Sequence, residues 1–141
     1  MITCGEDFEH WYSAQGFISR YYLDAISGAI VSVAQEKMMN VIEKKFGLSQ
    51  TSRMSPGSLP DWPLEQQKLL FVLLGEEEVY KNVGVNLTEN YVMLPTKSLS
   101  GIIFPTEHDF ESCQLCKRED CPGRKAEYDP QKARFYRDYD I

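Results

Sequence analysis

Two groups of residues in this chain have the types and spacing to do chemistry. The first is Arg53-Met54-Ser55-Pro56-Gly57, followed downstream by Leu87-Thr88-Glu89-Asn90-Tyr91 and by Ser98-Leu99-Ser100-Gly101. A planar guanidinium grips a carboxylate through two parallel hydrogen bonds, and a Pro-Gly loop can present backbone amides and carbonyls to a ligand. Glycine after serine at the head of an apolar strand admits a close neighbour, either a cofactor or another backbone, and also fits a bulge. The second group is Cys113-x2-Cys116-x4-Cys121-Pro122. Two thiolates two residues apart can bind one metal from a tight turn, with Cys121 in reach as a third ligand. A fourth would come from Cys4, His10, His108, another chain or an exchangeable molecule. The proline after the last cysteine favours an iron–sulfur cluster over zinc. Plain reduced thiols and a Cys113–Cys116 redox pair are the alternatives.

Other chemistries find no support. No nucleophile stands with a base and an orienting acid, and there is neither a phosphate loop nor a zinc-protease helix. The formal charge is −6, and no run holds more than two adjacent basic residues. That argues against a nucleic-acid partner. The longest apolar-leaning run, Ala25 to Ala34, is about half of what a membrane span needs. The amino terminus lacks a basic stretch followed by an apolar one, so the expected setting is cytoplasmic and no membrane is expected as partner. There, four cysteines are thiols or metal ligands rather than structural disulfides.

The elements that must position these residues follow from periodicity. A chain of 141 residues, 43% apolar, fits one domain over residues 1–141, with 105–141 as a Cys-rich tail. Apolar residues recur at three- and four-residue steps from about Gly16 to Phe46, predicting one long helix that Gly47 stops. Lys44 and Lys45 sit in its last turn, at the negative end of the dipole. The small run Ser27-Gly28-Ala29 lets another element come close. From Leu48 to Pro63 the pattern dissolves into Ser, Thr, Gly and Pro, which predicts an irregular loop. A second helix is expected from Leu64 to Gly75, then a solvated run at Glu76-Glu77-Glu78. Val83–Leu87, Tyr91–Leu94 and Ser100–Phe104 read as β-prone pieces, most simply an antiparallel meander. Asp129-Pro130 can cap a last helix to about Tyr136.

Between Arg53 and Phe104, the order of an Arg-led Pro-Gly loop, a helix, a Leu-Thr-Glu segment ending in Met93-Leu94-Pro95, and Ser98-x-Ser100-Gly101 resembles the activation domain of cobalamin-dependent methionine synthase. The resemblance implies an α+β fold with a twisted antiparallel sheet and flanking helices. It implies S-adenosylmethionine as cofactor, with Arg53 pairing with its methionine carboxylate and Ser55, Pro56, Gly57, Glu89, Ser100 and Gly101 completing the site. It also implies a cobalamin-bearing partner protein, whose reductive reactivation the domain supports without itself being the methyltransferase. Ser58 stands where the family has a tyrosine, and the cysteine run stands where the family has its adenosyl contacts. An iron–sulfur cluster or zinc at Cys113, Cys116 and Cys121, fed by an electron donor, would then supply an electron locally. The competing readings are a scaffold without S-adenosylmethionine, a complementing subunit of a split cobalamin enzyme, and a small iron–sulfur redox carrier.

Overall fold

The long helix is the spine of the molecule. In a computed structural model that describes residues 1–106, 110–121 and 123–137, it runs from Phe17 to Phe46 as α2, 30 residues and about 45 Å long. Gly47 ends it in the left-handed region at φ 65°, and the Leu48 amide donates back to the Glu43 carbonyl at 2.9 Å, the close that glycine allows. A short strand β1 (Ile2–Thr3) and helix α1 (Glu6–Ser13) precede it, and neither has a counterpart in the sequence expectations. Glu9 of α1 accepts from the Thr96 amide at 3.0 Å, and Asp24 of α2 pairs with Lys97 at 2.5 Å. These contacts fasten the amino-terminal segment to the loop around residues 96–98.

The stretch expected to be irregular begins as strand β2 (Thr51–Met54). After a loop and a 3-10 turn (Leu64–Gln66) come α3 (Gln67–Leu74) and α4 (Glu76–Val83). Glu76, Glu77 and Glu78 are exposed, as expected of a solvated run, but they also form the first turn of α4, where carboxylates face the positive end of the helix dipole. Strands β3 (Asn86–Leu87), β4 (Met93–Leu94), β5 (Ser98–Leu99) and β6 (Ile102–Pro105) follow. Only β3 and β4 pair locally. β5 returns to β1, and β6 returns to β2 with Arg53 opposite Ile103 and Met54 opposite Ile102. The architecture is α+β, with three two-stranded antiparallel sheets among the described residues in place of one meander.

The core is small. Phe71, Val79 and Val85 are buried together, with Val83, Leu87 and Met93 packed against them. This cluster holds α3, α4 and the β3–β4 hairpin as a unit. Beyond Pro105, a 3-10 turn (Ser112–Leu115) and helix α5 (Pro130–Arg137) complete the described tail. Asp129 caps α5 as its position predicts, its Oδ1 accepting from the amides of Gln131 and Lys132 at 2.9 and 3.0 Å. No described helix is long and apolar enough to cross a membrane.

Candidate functional site

Pairing β2 with β6 brings the two halves of the Arg53 motif together across some fifty residues of sequence. Arg53, Met54 and Ser55 then line one side of a cleft of about 130 Å³, and Ser100, Gly101 and Ile102 line another. The third wall is α2, which contributes Gln35, Met38, Met39 and Ile42, the i, i+3, i+4, i+7 set of one helix face. Four of the chain's five methionines (Met1, Met38, Met39 and Met54) line this cleft, giving it a soft, adaptable apolar wall.

Arg53 has the only charged side chain among the described residues lining the cleft. It is half-buried, and among the described residues no hydrogen bond or ion pair engages its guanidinium. A planar guanidinium so placed has the geometry to pair with a carboxylate through two parallel hydrogen bonds. Among the described residues no acidic side chain lines the cleft.

Ser100 and Gly101 are in place for reasons internal to the fold. The Ser100 hydroxyl donates to Gln67 Oε1 at 3.1 Å, both residues being buried, and so ties the residue after β5 to the start of α3. At Gly101 the close neighbour is protein backbone: a Cβ there would overlap the Met54 carbonyl oxygen and lie 2.8 Å from Ser55 Oγ. Gly57, at φ 79°, turns the loop, donating from its amide to the Trp62 carbonyl at 2.7 Å. Pro56 is buried and lines an adjoining cleft with Tyr91, which shares Ser55, Leu99 and Ser100 with the first. Glu89 is exposed in the β3–β4 turn and lines neither cleft. The structure thus brings Arg53, Ser55, Ser100 and Gly101 together, with Pro56 and Gly57 shaping the loop, and leaves Glu89 apart.

The cysteines lie elsewhere. Cys116 faces a cleft of about 370 Å³ shared with Ser58, Leu59 and Asp61, on the far end of the Pro56–Gly57 loop. What orders this segment is Arg124, a residue to which no sequence pattern pointed. Its guanidinium donates to the carbonyls of Cys113 and Cys116 at 3.2 Å each, of Ala126 at 3.0 Å, and of Arg118. The Lys125 amide donates to Cys113 Sγ at 3.4 Å. Among the described residues no group of three His, Cys, Asp or Glu side chains gathers to hold a metal ion. All four cysteines are free thiols, half-buried. Among the described residues, then, Cys113, Cys116 and Cys121 are not gathered around one metal position. His108, one candidate fourth ligand, and Pro122 lie outside the described residues. Cys4 is bonded instead, through its thiol, to the Ser27 carbonyl at 3.8 Å, and burial raises its pKa above the ordinary thiol value of 9.0, with Lys97 opposing and Glu9 assisting.

What the sequence reading missed at the site is its helical wall and its strand geometry. The wall was legible in the Gln35, Met38, Met39, Ile42 spacing; the strand was not, because its partner lies so far downstream. No curated protein and no solved structure matches the chain. A family model described as "Vitamin B12 dependent methionine synthase, activation domain" matches residues 31–121, from the middle of α2 through both halves of the Arg53 cleft to the last cysteine. With most of the chain covered, and with the paired motif assembled at one cleft, this protein belongs to the activation-domain family of vitamin B12 dependent methionine synthase.

Proposed function

We propose that the chain is an accessory module that docks on a cobalamin-bearing protein and supports its reductive reactivation with S-adenosylmethionine. The observation carrying this reading is the unpartnered, half-buried Arg53 guanidinium in a cleft built by both halves of the family motif. Arg53 would hold the methionine carboxylate of the cofactor, and the Ser55–Gly57 backbone would border it. When bound, S-adenosylmethionine supplies a sulfonium methyl group. The part of this chain is to bind and orient it, a contribution made through proximity rather than acid–base chemistry. A cleft of about 130 Å³ suits the amino-acid end of the cofactor. It falls short of the roughly 300–1,000 Å³ of whole-ligand sites, so the remainder would extend over the adjoining cleft beside Tyr91.

A second reading, a scaffold or complementing subunit of a split cobalamin enzyme, is favoured by one observation: among the described residues no acidic side chain lines the cleft to meet the cofactor's ammonium group. Titration calorimetry separates the two. Saturable binding of S-adenosylmethionine that is lost in Arg53→Ala supports the first, and no heat in the unaltered chain supports the second. An iron–sulfur cluster or zinc at Cys113, Cys116 and Cys121, with an electron donor behind it, is a separate proposal. The loop as folded does not favour it, and no step here depends on it. Metal analysis of protein purified without oxygen tests it.

A further inference from the structure

The first half of α2 exposes an apolar face that no described residue covers. Ile18, Tyr22, Ile26, Ile30 and Val33 recur at helical spacing with exposures of 73, 63, 52, 50 and 51%, and Tyr21 flanks them at 73%. Ala25 and Ala29 lie between these large side chains, and both are exposed. The opposite side of the same helix holds its buried residues, Ser27 and Val31, so the face points away from the fold. Ile18 to Ile30 also precede the family match, which starts at residue 31.

We infer that this face is a dimer interface, the α2 helices of two copies packing antiparallel about a two-fold axis near Ala25 and Ile26. Three features select a second copy as the occupant. The exposed surface of the six large residues is on the order of 800 Å², which is about what one partner contributes to a stable interface of standard size. In an antiparallel pair centred there, Tyr22 stands at the height of the partner subunit's Ala29 and Ile26 at the height of its Ala25, so large side chains near the axis meet small ones, as a self-complementary isologous contact allows. None of these face residues is charged, so pairing the face with itself buries no unpaired charge.

The test is sedimentation equilibrium of the whole chain across a concentration series, with circular dichroism as a check on folding. The expected result is a reversible species of twice the 16.3 kDa chain mass. Ile26→Glu sets two carboxylates face to face at the axis and raises the dissociation constant about 100-fold or more. Ile30→Lys does the same by a separate charge, should Ile26→Glu fail to fold. Leu73→Glu, 83% exposed on α3, leaves dimerisation unchanged. A monomer at every concentration, including a chain that pairs only when another protein is added, overturns the inference. So does a dimer that both α2 variants leave intact.

Discussion

The Gly101 α-carbon lies so close to the Met54 carbonyl oxygen that no side chain fits between them. That contact sets the distance between the strand carrying Arg53 and the Ser100–Gly101 turn, and therefore the width of the cleft. Gly101→Ala is expected to force β2 and β6 apart at a cost of about 1–3 kcal/mol, the usual range for overpacking. Thermal melting should show a drop of roughly 3–10 °C. An unchanged melting temperature would mean that the backbone yields freely there.

Arg124 is predicted to be the structural centre of the cysteine segment. Replacing it with Ala removes a hydrogen bond from four backbone carbonyls, those of Cys113, Cys116, Arg118 and Ala126, of which Cys113 keeps the Cys116 amide. Thiol-labelling rates measured residue by residue should rise at Cys113 and Cys116 by about tenfold or more, since charge-assisted bonds contribute roughly 1.5–3 kcal/mol each when well formed. Labelling of Cys4, whose thiol is bonded to the Ser27 carbonyl instead, should not change. Equal acceleration at all four thiols would point to global unfolding instead.

Alkaline pH should weaken the fold through Cys4. Its thiol has a raised pKa in the folded state because burial disfavours the thiolate, so folding favours the protonated form. The associated stability is complete below the ordinary thiol value of 9.0 and is lost as pH rises through the folded-state value. Chemical denaturation of the parent chain should therefore decline more steeply above pH 9 than that of Cys4→Ala. Parallel declines would remove Cys4 as the cause.

The legibility of the chain followed the range of its interactions. α2 was readable because its periodicity and the Gly47 stop are local. So was the Asp129 cap, which acts over three residues. Strand β2 was not, since Ser and Thr next to a Pro-Gly loop look irregular until Ile102–Pro105 supplies the ladder partner. For the same reason the expected meander became three separate pairs, two of them closed by segments far apart in sequence. At the site, the motif residues Arg53, Ser55, Ser100 and Gly101 line one cleft. The motif could not show that Glu89 sits exposed at a hairpin turn, or that the room beside Gly101 is filled by Met54. The spacing of the cysteines suggested a metal, whereas the carbonyls around them converge on Arg124, whose role depends on the loop's three-dimensional path.

The central claim is that the Arg53 cleft takes the carboxylate of S-adenosylmethionine. Calorimetric titration of the intact chain, Arg53→Ala and Arg53→Lys tests it most directly. The account predicts saturable binding by the parent, a loss of about 10–100-fold in Arg53→Ala, and a smaller loss in Arg53→Lys, which keeps the charge but not the two-pronged grip. Because among the described residues no ion pair holds Arg53, all three proteins should melt at nearly the same temperature. Equal affinity in the parent and Arg53→Ala, or no binding by the parent at all, would contradict the claim.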